Sequence, residues 1–120
     1  MRDVDSSSEP LTPALFHVLL ALVDDEKHGY AILKDVERGT RGEVRLSTGT
    51  LYGIIKRLLA EGMIEESRRR PGPNEDSRRR YYRLTASGRA AAVTEVKRME
   101  KAVALARGKR LTWRPARGPA

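Results

Sequence analysis

Between Ser47 and Leu84 the chain changes periodicity twice and brackets a turn with arginine. Leu51, Ile54, Ile55, Leu58 and Leu59 recur at i, i+3, i+4, i+7 and i+8, the inward stripe of an amphipathic helix. Ser47 is placed to cap that helix and Gly62 to stop it. A short strand is expected over 63–66 and a second over 81–84. Between them stand Arg68-Arg69-Arg70 and Arg78-Arg79-Arg80, around the turn sequence Pro71-Gly72-Pro73-Asn74. Helix, strand, basic hairpin tip, strand is the order of a winged helix-turn-helix. The helical spacing sends Thr48, Tyr52 and Lys56 outward and gathers cations at the hairpin tip, where nucleic-acid phosphates are their natural counterpart.

Two helices are expected upstream. Thr12-Pro13 supplies a capping hydroxyl and a proline at the first helical position. Leu15, Phe16, Val18, Leu19, Leu22 and Val23 then make a helix over 12–24 whose apolar face is wide enough for burial on more than one side. Residues 24–29 read as a turn. Tyr30, Ile32, Leu33 and Val36 support a second helix over 29–39, ended by Gly39, and a connector over 40–46 has room for a short strand at 43–46. After the hairpin, Thr85-Ala86-Ser87-Gly88 opens a fourth helix running to about Arg107. Its apolar residues, Ala92, Val96, Met99, Val103 and Ala106, step by 4, 3, 4 and 3, which is an a/d seam. A seam so narrow is expected to meet another helix, that of a second copy. Two heptads of mostly Ala and Val are weak alone, so Phe16 and Leu19 of the first helix are expected to join the interface. The alternative is that this helix packs on its own domain.

The expected fold is therefore mainly α with a small β-hairpin. It comprises a disordered Ser-rich arm (1–10), a winged helix-turn-helix (11–84), one C-terminal dimerisation helix (85–107) and a basic flexible tail (108–120).

Charge sharpens this division. The 120 residues carry a formal charge of +8. Residues 67–83 hold seven arginines against Glu75 and Asp76, and residues 107–120 hold five cations and no acid. The body between is close to neutral, so the positive charge is concentrated in two appendages. With no cysteine, disulfides, thiolate metal sites and cysteine nucleophiles are excluded. No apolar run is long enough to span a bilayer, the N-terminus has no signal-like segment, and a cytoplasmic chain is expected. No catalytic constellation, metal-ligand cluster or phosphate-cradling glycine loop stands out, so neither enzyme activity nor a cofactor is expected. His17, alone on an apolar helix, reads as a core residue.

Three segments carry a resemblance to a known family. Ser47-Thr48-Gly49-Thr50-Leu51-Tyr52 through Leu58-Leu59-Ala60-Glu61-Gly62-Met63-Ile64 resembles the recognition helix of the PadR family of bacterial transcriptional regulators and its exit into the wing. Arg80-Tyr81-Tyr82-Arg83-Leu84-Thr85-Ala86-Ser87-Gly88 is similar to that family's second wing strand and the helix after it. His28-Gly29-Tyr30-Ala31-Ile32 resembles the opening of its second helix. The likeness covers about residues 11–106. It implies a homodimeric DNA-binding regulator, most often a repressor, released by a small molecule or other signal. Its short members end in a single dimer-building helix, which the a/d seam of the fourth helix fits.

The candidate DNA-binding residues are Ser47, Thr48, Gly49, Thr50, Tyr52, Lys56 and Arg57 on the third helix, and Arg70, Arg78, Arg79 and Arg80 on the wing. The first residues of a recognition helix lie nearest the base edges of the major groove, and wing arginines suit backbone phosphates or a narrow minor groove. Ser47 serves equally as a simple cap, and Tyr52 as a residue packed on the wing. Arg68, Arg80 and Arg83 lie nearer the strands, within reach of Glu65 or Glu66. The candidate dimer interface is Phe16, Leu19, Ala92, Val96, Met99, Val103 and Ala106, where a small-molecule effector would also bind. The expected partners are double-stranded DNA on a pseudo-palindromic operator and a second copy of the chain. A winged-helix module for protein contact or RNA binding is the alternative.

Overall fold

The structure is a computed structural model in which residues 10–111 are described. Residues 1–9 of the expected arm and 112–120 of the expected tail, Trp113 among them, lie outside the described residues.

Four capping side chains start the four helices. Thr12 accepts a hydrogen bond from Leu15 N (3.1 Å) and opens α1, Pro13–Ala21. His28 accepts from Ala31 N (3.1 Å) and opens α2, Gly29–Gly39. Ser47 accepts from Thr50 N (3.1 Å) and opens α3, Thr48–Ala60. Thr85 accepts from Gly88 N (3.0 Å) and opens α4, Ala86–Gly108. Each bond satisfies an amide that the first helical turn leaves without a partner.

Three short strands accompany the helices: β1, Lys27–His28; β2, Ile64–Glu66; and β3, Tyr81–Leu84. They form one antiparallel sheet in the order β1-β3-β2, with Lys27 opposite Tyr82 and Glu65 opposite Arg83. β1 corrects the expectation that 24–29 is only a turn. Lys27 explains how this segment is held: its ammonium bonds Asp24 (2.7 Å), Asp35 (2.9 Å) and the Ala21 carbonyl. Burial works against its charge, yet the two carboxylates prevail and raise its pKa.

α3 ends as Gly62 suggested. Gly62 has φ +74°, its amide bonds Leu59 O (3.1 Å), and Met63 N reaches Leu58 O (2.9 Å). This left-handed turn swings the chain directly into β2. The end of α2 departs from expectation: the left-handed residues are Arg41 (φ 53°) and Gly42 (φ 84°), while Gly39 is still helical. Residues 43–46 form no strand, because the Val44 amide is already bonded to Thr40 Oγ1 (3.0 Å). α1 also stops at Ala21, short of the expected 24.

The core gathers Leu15, Val18, Leu19 and Leu22 of α1 and its exit, Ile32 and Val36 of α2, Leu51, Ile55 and Leu58 of α3, and Ile64, Tyr82 and Ala91 beyond. The inward stripe of α3 is narrower than its spacing suggested: Ile54 is half-buried and Leu59 is exposed. Gly88 is required by packing, since a Cβ there would run into the Met63 carbonyl where α4 crosses the end of β2. α4 packs on α1, and the buried Glu95 ties the two ends by accepting from Leu11 N (3.1 Å) and pairing with Arg98 (3.3 Å).

Candidate nucleic-acid interface

The outward face of α3 is defined by what the core does not use. Gly49, Tyr52, Gly53 and Lys56 recur at i, i+3, i+4 and i+7, and all are exposed. A Cβ built on Gly49 or Gly53 meets nothing within 4 Å, so neither glycine is demanded by packing inside the chain. Ser47, Thr48 and Thr50 are exposed at the N-terminus. Ser47 spends its oxygen on the cap and donates to Thr50 Oγ1 (3.0 Å), which leaves the Thr50 hydroxyl hydrogen free to point elsewhere. Arg57 is paired with Glu61 (3.0 Å), whereas Lys56 has no ion-pair partner among the described residues.

Carboxylates shape the wing as much as arginines do. Glu75 accepts from Gly72 N (2.8 Å) and Tyr81 OH (2.8 Å), closing the tip onto β3, and these bonds lower its pKa. Asp76 takes the Arg78 guanidinium with both oxygens (3.1 Å each) as well as the Arg78 amide, which hold its carboxyl down to about 2. At the wing's base, buried Ser67 donates to Glu26 (2.6 Å) and receives Arg69 N (2.9 Å). Arg80 pairs with Glu66 (3.0 Å) and Arg83 with Glu65 (2.5 Å), as the strand register allows. Arg69 lies over the Tyr81 ring, 4.4 Å from its centroid. Among the described residues, Arg68, Arg69, Arg70 and Arg79 have no carboxylate within ion-pair distance. Exposed pairs such as Arg78–Asp76 are screened by solvent and weak, so they delay rather than forbid transfer of the arginine to a phosphate.

α3 and the wing border a cleft of about 580 Å³, lined by Tyr52 of α3, by Arg78, Arg79 and Arg80, and by His28 and Gly29. The Tyr52 ring sits on Gly29 so closely that any side chain there would overlap its hydroxyl. Packing on the wing is the alternative expected for Tyr52; the close contact in the structure is instead with the opening of α2.

Residues 18–94 match the model of the transcriptional regulator PadR-like family. The chain belongs to the PadR-like family. It is 33% identical over 85 residues to transcriptional regulator Rv3488 of Mycobacterium tuberculosis, covering 71% of this chain and 74% of that protein. It resembles a solved transcriptional regulator from Clostridium thermocellum with a TM-score of 0.65 and 26% identity, over 78% of this chain and 86% of that one. A third likeness is to BpsR of Bordetella bronchiseptica, whose structure concerns regulation of its DNA binding by 6-hydroxynicotinic acid. There the TM-score is 0.63 and the identity 28%, over 95% of this chain and 74% of that one.

In this PadR-like chain the expected dimer surface divides in two. Val96, Met99 and Val103 are 39%, 41% and 46% exposed, and Ala106 is half-buried, so the distal part of the α4 seam is uncovered within the chain. Leu19, however, is wholly buried at the centre of its own core, and Phe16 and Ala92 are nearly so. These three are corrected: the same chain already consumes the surface they would offer. Leu20 and Val23 are the exposed apolar residues of α1 and the turn after it. Sequence reasoning also missed His28, Glu75, Asp76 and Ser67, which organise the wing and the cleft. Among the described residues, no helix is long and apolar enough to cross a membrane, and no cluster of His, Asp and Glu is placed to hold a metal.

Proposed function

We propose that this chain is a sequence-specific regulator that binds double-stranded DNA, acting in the cytoplasm as a homodimeric repressor on a pseudo-palindromic operator. The observation that carries this reading is the shared cleft. It joins Tyr52 of α3 to Arg78, Arg79 and Arg80 of the wing, which supports a reading in which the helix lies in the major groove and the wing on the flanking backbone. Thr48, Thr50 and Lys56 face the bases, with Gly49 and Gly53 admitting the duplex close to the helix axis, while Tyr52, Arg57, Arg70, Arg78, Arg79 and Arg80 face phosphates. Ser47 acts chiefly as the cap. The uncovered Val96, Met99 and Val103 supply the second copy's contact, and a small-molecule effector would act at that interface. Regulation of DNA binding by a small acid in BpsR, a structural relative, supports the effector part of the reading.

A mobility-shift comparison tests it. Duplex DNA is expected to be retarded in dilute salt and single-stranded RNA of equal length to bind more weakly. Preference for the RNA, or indifference to both, contradicts the proposal.

A further inference from the structure

The cleft holds two hydrogen-bond donors that face one another. His28 Nδ1 accepts the Ala31 amide (3.1 Å), the bond that caps α2. A neutral imidazole has one acceptor and one donor nitrogen, so the proton sits on Nε2. That nitrogen lies 3.2 Å from Arg79 NH1, itself only a donor. The opposite tautomer moves the conflict to the cap and leaves a part-buried backbone amide without an acceptor, which costs more than leaving a guanidinium to water. Protonation makes both nitrogens donors and is disfavoured. Burial and the Arg79 charge lower the ring's pKa, Arg69 adds to this, and Glu75 opposes it. Arg79 has no carboxylate within ion-pair distance among the described residues, and both oxygens of Asp76, the acid lining the cleft, are engaged by Arg78. The Tyr52 hydroxyl, held over Gly29, lines the same space.

We propose that this cleft is a site for one oxyanion group, a phosphate or carboxylate, held by His28 Nε2–H, the Arg79 guanidinium and the Tyr52 hydroxyl. An oxyanion oxygen that bridges His28 and Arg79 from the cleft side accepts from both and replaces a donor–donor contact with two charge-assisted hydrogen bonds. The group has two sources. A DNA backbone phosphate seated there fastens recognition helix and wing to one point of the duplex, which rests on the proposed DNA binding. A free anionic ligand seated there withdraws Arg79 and Tyr52 from the duplex, and its binding needs no DNA at all. The volume, about 580 Å³, accommodates an organic body behind the anionic group.

The full chain contains two histidines, so a side-chain ¹⁵N spectrum shows two rings, with His17 on α1 as internal reference. At neutral pH, His28 is expected as the Nε2–H tautomer. Inorganic phosphate, added at constant ionic strength against chloride, is expected to shift His28 Nε2 saturably and leave His17 in place. Arg79→Gln and Tyr52→Phe, neither of which touches the cap, should each weaken that response by about tenfold. A short duplex replaces phosphate in the second arm. A response to phosphate alone identifies a free-ligand site, to duplex alone a backbone-phosphate seat, and to both a shared one. A response in neither arm, or one that Arg79→Gln leaves unchanged, overturns the proposal. A protein that fails to retard duplex yet responds to phosphate contradicts the DNA reading and leaves the oxyanion site standing.

Discussion

Replacing Gly53 with Ala should move folding and binding in opposite directions. Gly53 lies mid-way along α3, exposed, and the added methyl meets nothing within 4 Å. Within the chain the substitution does little except remove glycine's backbone freedom, which favours the helix by about 0.8–1 kcal/mol. In a domain of this size that is a rise in Tm of roughly 4 °C or more. Against DNA the same methyl projects from the strip that Gly49, Tyr52 and Lys56 share. Forcing a methylene-sized group into a close contact typically costs about 1–3 kcal/mol, which is roughly 5- to 150-fold in Kd. Thermal unfolding followed by circular dichroism gives the first quantity, and fluorescence anisotropy with a labelled operator duplex gives the second. A variant that is more stable and binds as tightly as the parent refutes the placement of this face against DNA. A variant that is less stable refutes the packing argument itself.

Other perturbations follow from the same geometry. Arg79→Ala should flatten the dependence of log K on log salt by about 0.9 per DNA-bound copy. Arg78→Ala should flatten it less, because Arg78 must first leave Asp76; equal slopes for the two variants would contradict that ranking. Val96→Asp should yield a monomer with intact secondary structure and lost specific binding, and a dimer persisting in sedimentation would contradict the α4 seam. Because the folded-state pKa of His28 is depressed, its contribution is complete above its ordinary value of about 6.5 and is lost as pH falls from there toward the folded value. His28→Asn keeps a capping side chain without titrating in that range. The decline in urea midpoint between neutral pH and about 5.5 should therefore be shallower in the variant, and identical declines would remove His28 as its cause.

Local signals made much of this fold legible. α3 starts at the cap that Ser47 supplies, and α2 and α4 lie where their apolar spacing placed them, each being longer than two turns. β1 was invisible because two residues carry no period. It exists only through pairing with Tyr81 and Tyr82, more than fifty positions away. The same distance hid the cleft, since nothing local couples His28 to Arg79. The arginine triplets announced a basic tip, but which arginines are left without a carboxylate depends on how Glu66, Glu75 and Asp76 fold back onto the wing. Spacing alone did not separate Ala92 from Val96, Met99 and Val103: Ala92 is buried in the chain's own domain, and that depends on packing between distant elements.

Selection of bound fragments from a random duplex pool, carried through several rounds with the full chain, bears most directly on the claim that paired recognition helices and wings read DNA. The expected product is a two-fold-symmetric motif whose half-sites lie about one helical turn apart, 10–10.5 base pairs centre to centre. A bound pool with no enriched sequence, or with a single unpaired half-site, would contradict it.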